Sequence, residues 1–239
     1  MIPICRIGLS TSLTSFPTER KIMFKYFIFD LDGTLAYTIG DLRNSMNLTF
    51  EKYGFPPLDD AKVLASINLG TREFFRRALP ENIEQIEDFI NEVIDAYLEI
   101  YDKNCLVNTE PYEHVNAILA YCKENGAKMA VYSNKHDPCT KRIVQALFPD
   151  TFVTVLGGGT DIPHKPMPDG ALYIADLLGA KPDEIAFIGD SDVDMATAVN
   201  AGMHPFGVSW GYRPAELLIE KGAEGIITDF DSFVRIVGK

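Results

Sequence analysis

Phe27-Ile28-Phe29-Asp30-Leu31-Asp32-Gly33-Thr34-Leu35 decides how the rest of the chain is read. Three apolar, strand-forming residues run straight into an aspartate, which predicts a buried parallel strand ending in a loop. The loop carries two carboxylates two residues apart, followed by Gly-Thr. Open α/β sheets place their ligands beyond the carboxyl ends of their strands. A carboxylate pair there can hold a hard cation, and one of the pair can attack phosphorus as a nucleophile. Asp-Gly is also an ordinary turn signal, so this stretch alone leaves an acidic turn open.

Downstream, from Tyr37 to about Asn108, the pattern is helical. Thr38 is placed to cap a helix through Tyr53, with Leu42, Met46, Phe50 and Tyr53 on one face. Further helices are expected at Asp59–Ile67, Thr71–Leu79 and Glu84–Lys103. We read 37–108 as an inserted all-helical subdomain. Then α/β alternation resumes. Strands are expected at Lys128–Tyr132, Phe152–Leu156, Glu184–Ile188, His204–Val208 and Gly225–Thr228, with helices between them. This predicts a doubly wound, Rossmann-like parallel sheet built from 23–36 and 109–239. Gly157-Gly158-Gly159 has neither dinucleotide-fold nor P-loop spacing and reads as a flexible loop.

Three later strand ends carry polar groups. Ala130-Val131-Tyr132 leads into Ser133-Asn134-Lys135, where a hydroxyl can donate to a phosphoryl oxygen; alone, Ser-Asn is an ordinary turn or cap. His164-Lys165-Pro166-Met167-Pro168 holds a lysine that proline biases to extended backbone. Ile185–Ile188 runs into Gly189-Asp190-Ser191-Asp192-Val193-Asp194. Asp190 stands at the strand end, and Asp194 returns to the same mouth from the next helix. An acidic helix start is also common without any ligand, and Asp192 reads as a solvent-facing or capping residue.

Taken in order, Asp30-Leu31-Asp32-Gly33-Thr34-Leu35, Ser133, Lys165-Pro166-Met167-Pro168 and Gly189-Asp190 to Asp194 resemble the four motifs of the haloacid dehalogenase-like hydrolases. Ser-Asn-Lys and the helical insertion resemble the phosphoglycolate phosphatase-like branch with its C1-type helical cap. The resemblance implies that Asp30 is the nucleophile, forming an aspartyl phosphate, and that Asp32 is the general acid/base. It implies that Ser133, Asn134 and Lys165 contact the phosphoryl group. It further implies Mg²⁺ held by Asp30, the Asp32 carbonyl, Asp190 and Asp194. Thr71 and Arg72, in a turn before a cap helix, are expected to meet the substrate. Relatives often follow the first motif with Asp-Ser, where this chain has Ala36-Tyr37-Thr38. The expected substrate is a small phosphorylated metabolite, phosphoglycolate-like. The alternatives are a sugar-phosphate mutase, a pyrophosphatase or nucleotidase, and a non-catalytic phosphate-binding module.

Composition narrows the partners. A net charge of −12 over 239 residues argues against nucleic acid and anionic membrane surfaces. No apolar run is long enough to span a bilayer. The cysteines, Cys5, Cys105, Cys122 and Cys139, form no CxxC or zinc spacing and read as reduced thiols of a cytoplasmic protein. Residues 1–22, rich in Ser, Thr and Pro near Met23, read as an extension outside the fold. Monomer and homodimer both remain open.

Overall fold

The computed structural model describes residues 24–80 and 87–237; the expected extension, 1–22, lies outside them. β1 (Tyr26–Phe29) is the apolar run of the opening motif, and Phe27, Ile28 and Phe29 are all buried. Because side chains alternate along a strand, Phe27 and Phe29 enter one core and Ile28 enters the core on the other face. β2 (Ala36–Tyr37) follows, then α1 (Ile39–Lys52), α2 (Asp60–Ser66), α3 (Thr71–Ala78) and α4 (Glu87–Asn104), and the chain returns through β3 (Glu110–Pro111). β2 and β3 pair antiparallel, so the four helices leave and re-enter through a two-stranded ribbon. The sequence gives no sign of that ribbon, because two-residue strands carry no period.

The rest of the chain alternates: α5 (Val115–Glu124), β4 (Lys128–His136), α6 (Asp137–Leu147), β5 (Thr154–Gly158), α7 (Asp169–Leu178), β6 (Ile185–Gly189), α8 (Asp192–Ala201), β7 (His204–Val208), α9 (Ala215–Glu220), β8 (Gly225–Ile227) and α10 (Phe230–Val237). The six-stranded parallel sheet has the order β5-β4-β1-β6-β7-β8. The chain runs outward from β1 in both directions, so the strand order reverses there, and ligand crevices form at such points. The α/β, doubly wound core with a helical insertion is as the sequence predicts.

Two local expectations change. β4 does not stop at Tyr132 but continues to His136, with a register irregularity against β5 between Tyr132 and His136. Ser133, Asn134 and Lys135 are therefore strand residues, not a turn. Gly157 and Gly158 are buried in β5 rather than in a loop. A Cβ on Gly157 would lie 2.4 Å from the Asp137 backbone, and one on Gly158 would lie 2.5 Å from the Asn134 carbonyl oxygen. These glycines let β5 approach the end of β4 that carries the polar residues.

Candidate active site

Asp30 follows β1 directly, and its N–H donates to the Ile188 carbonyl of β6 at 2.9 Å. That bond fixes the aspartate between the two central strands. Its carboxylate is 5% exposed and faces Lys165, whose Nζ lies 2.9 Å from Oδ1. The ion pair is close but not aligned as a hydrogen bond, and Oδ1 has no hydrogen-bond donor. Burial, and then the charge of Asp194, push the Asp30 carboxyl up to about 7, with Lys165 pulling the other way.

Lys165 is buried against two acids, donating to Asp194 Oδ1 at 2.6 Å and to the Tyr132 carbonyl at 3.1 Å. Burial alone would lower its ammonium, but Asp194 and Asp30 outweigh it and raise it. Its backbone is clamped by Asn134. Asn134 Oδ1 accepts from Lys165 N at 2.8 Å, and Nδ2 donates to the carbonyls of Lys165 and Asn68. Both N–H groups of that amide are thereby spent. The Asn134 side chain holds the Lys165 backbone, and the residue lines a cavity beside it.

Asp190 ends β6 and is fully buried. Thr34 Oγ1 donates to it at 3.1 Å and Tyr212 N at 2.8 Å. Two glycines make room: a Cβ on Gly33 or Gly211 would come within 2.4 Å of Asp190 atoms. Burial, followed by the charges of Asp194 and Asp30, raises the Asp190 carboxyl well above its ordinary value. Asp194 closes a capping box at the start of α8, accepting from Ser191 N at 3.0 Å and Ser191 Oγ at 2.6 Å. Asp192 lies outside this cluster, 3.9 Å from Arg213 and partly exposed. Among the described residues, oxygens of Asp30, Asp190 and Asp194 come within 4.8 Å of one another. Three buried carboxylates, two of them resisting ionisation, fit a hard divalent cation.

Asp32 is more open, at 15% side-chain exposure. It accepts from Thr38 Oγ1 at 2.6 Å and from Lys135 Nζ at 2.8 Å. Lys135 is a residue the sequence reading did not assign, although Ser133-Asn134-Lys135 pointed to it: continuing β4 past Tyr132 carries its ammonium to Asp32. Ser133 is buried beside it, its Oγ accepting from Lys135 N at 3.3 Å.

Of these groups Asp30, Asp32, Ser133, Asn134, Lys135, Lys165 and Ser191 line one cavity of about 60 Å³ with Thr71, Leu42, Ile67, Asn68, Phe74 and Tyr101 from the helical insertion. Thr71 is thus brought to the expected place and Arg72 is not. Arg72 points away, ion-paired with Glu87 at 2.5 Å and hydrogen-bonded to Asn91, with about half its side chain exposed. A partner on α4 captures it, so its expected contact with substrate finds no support.

The chain matches the family model described as haloacid dehalogenase-like hydrolase over residues 27–208. It is 31% identical to Phosphoglycolate phosphatase 1 of Pseudomonas aeruginosa over 84% of this chain and 75% of that one. It is 30% identical to the phosphoglycolate phosphatase of Psychrobacter arcticus over 87% of this chain and 93% of that one. The structure of a predicted phosphoglycolate phosphatase from Haemophilus somnus superposes with a TM-score of 0.82 at 27% identity, covering 92% of this chain and 99% of that one. With three strand-end motifs and the Lys165 loop brought to one cavity, the chain belongs to the haloacid dehalogenase-like hydrolase family, on its phosphoglycolate phosphatase-like branch.

Proposed function

We propose that this phosphatase hydrolyses a small, phosphoglycolate-like phosphomonoester with Mg²⁺, through a phosphoaspartate on Asp30. The observation that carries the reading is the Asp30 carboxylate itself: buried, with Oδ1 free of hydrogen-bond donors, beside Lys165 and the Asp190–Asp194 pair. Asp30, the Asp32 carbonyl, Asp190 and Asp194 would hold Mg²⁺, which when bound neutralises acid charge and polarises a phosphoryl oxygen. Lys165 and Ser133 orient the phosphoryl group for in-line attack by Asp30. Asp32, two residues on, protonates the leaving oxygen. It then takes the proton of the water that opens the acyl phosphate. Thr38 and Lys135 fix the direction of its carboxylate. On this reading α1–α4 act as a cap on the catalytic core and set which ester enters.

The test is phosphate release from a panel of small esters, with and without Mg²⁺, for the wild type and Asp30→Asn. Mg²⁺-dependent turnover lost at least about 10³-fold in the variant supports the assignment. Turnover retained in Asp30→Asn removes Asp30 as nucleophile. Activity that appears only with a sugar bisphosphate present replaces the hydrolase by a mutase.

A further inference from the structure

Besides Asp30, Asp32 and Lys165, the cavity lining carries three further hydrogen-bond donors, on Asn68, Tyr101 and Lys135. Lys135 Nζ, buried, sits over the Tyr101 ring at 4.7 Å from its centre. Tyr101 is 1% exposed, and its hydroxyl has no hydrogen-bond partner. Burial, and then the charge of Asp32, raise the Tyr101 phenol well above its ordinary value, so it remains an O–H donor. Asn68 Nδ2 is also buried without a partner. The Asn68 backbone is held at φ 88°, a left-handed conformation that asparagine adopts more readily than most residues. Its carbonyl is pinned to the core by Asn134 Nδ2 at 2.8 Å. All three residues line the same cavity.

A buried donor left without an acceptor lowers stability, so two in one small cavity beside an ammonium mark a place where an acceptor binds. Leu42, Ile67 and Phe74 give the same lining apolar surface, and Thr71, Tyr97 and His136 also border it. Resting on the phosphatase reading above, we propose that Asn68, Tyr101 and Lys135 bind a carboxylate at the non-phosphate end of the substrate. The amide and phenol donors address its oxygens, and Lys135 Nζ, which also holds Asp32 at 2.8 Å, offsets part of the charge of both carboxylates.

The test compares 2-phosphoglycolate with ethyl phosphate, which keeps the frame and replaces the carboxylate by a methyl group. The kcat/KM ratio of the two esters is expected to exceed about 100-fold in the wild type. Tyr101→Phe and Asn68→Gly, the latter retaining the left-handed backbone, are each expected to cut that ratio at least about tenfold, chiefly through KM for 2-phosphoglycolate. A parallel loss on both esters, or a wild-type ratio near one, overturns the proposal. Calorimetric binding to Asp30→Asn separates the two claims. A preference for 2-phosphoglycolate of about tenfold or more, reduced by Tyr101→Phe, supports the carboxylate site even where turnover of both esters is absent, an outcome that sinks only the hydrolase reading. Equal binding of the two esters, or none, overturns the carboxylate site.

Discussion

In metal-free protein, raising the pH from about 4 to about 7 is expected to destabilise the fold through Asp30. Burial and Asp194 hold its carboxyl at about 7, against 3.8 for an exposed aspartate. Over that window the folded chain keeps a proton that the unfolded chain has released. The stability linked to this group is therefore complete below the lower value and is lost as the pH rises through the upper one. A separation of about three units, at about 1.4 kcal/mol each, amounts to about 4 kcal/mol. At about 2–4 °C per kcal/mol for a chain of this size, the melting temperature falls by about 8–16 °C. His136 and His164 work in the opposite direction, because desolvation lowers both below the ordinary histidine value and favours their neutral form. Asp190, whose carboxyl is also raised by burial, acts in the same direction as Asp30. Asp30→Asn removes the Asp30 contribution and leaves the histidines and an Asp190 relieved of one neighbouring charge, so the wild-type profile is expected to fall more steeply with pH than that of the variant. On the proposed assignment of Mg²⁺ to the ionised acids, its stabilisation is expected to grow with pH across the same window. Scanning calorimetry in EDTA and in Mg²⁺, from about pH 4.5 to about pH 7.5, reads both trends. Parallel wild-type and Asp30→Asn profiles in EDTA would refute the reasoning.

Three further outcomes follow from other contacts. The buried Asp41 carboxylate, in the first turn of α1, accepts from the backbone N–H groups of Val107, Asn108 and Thr109 and from the Asn108 and Thr109 side chains. Asp41→Ala is expected to cost about 2–4 kcal/mol in urea unfolding, and a loss under about 1 kcal/mol would contradict this anchoring of the insertion. Gly33→Ala forces a side chain onto a φ of 82° and a Cβ to 2.4 Å from Asp190 Oδ2; steady-state kcat/KM is expected to fall at least about 100-fold, and an active variant would show that Asp190 can move freely. Arg72→Ala removes an exposed ion pair, so stability should change by less than about 1 kcal/mol and KM by less than about twofold; a KM raised more than about fivefold would return Arg72 to the substrate.

Much of the catalytic part of the cavity was legible because its chemistry is local in sequence. Asp30, Asp190 and their apolar strands each occupy one short run, and a buried parallel strand is the element whose continuous hydrophobicity is easiest to read. Ser133-Asn134-Lys135 was harder. Its polar composition imitates a turn, while the pairing of His136 with Gly158 keeps it in the sheet, and that pairing depends on the Cβ-free Gly157 and Gly158. Gly-Thr-Arg marks the turn before α3, but the direction of Arg72 is set by Glu87 and Asn91 on another helix, which the sequence near it does not reveal.

The part of the cavity wall supplied by the insertion shows why recognition is less legible than chemistry. Asn68 sits in a loop, and Tyr101 falls at a helical spacing that also suits a core aromatic. Neither marks a site by its neighbours in sequence. Their distinguishing property is a missing partner, and a missing partner becomes visible only once every other contact is in place. The two tasks also face different physical demands. Attack on a phosphate needs carboxylates close enough to repel one another, so they must share a cation and a lysine, and short strand-end motifs achieve that spacing. Reading the remainder of a small ester needs only a few directed donors in an otherwise apolar wall. Those donors can come from any helix that reaches the cavity, so substitutions in the insertion can change the ester chosen while the Asp30–Lys165–Asp190 arrangement stays intact.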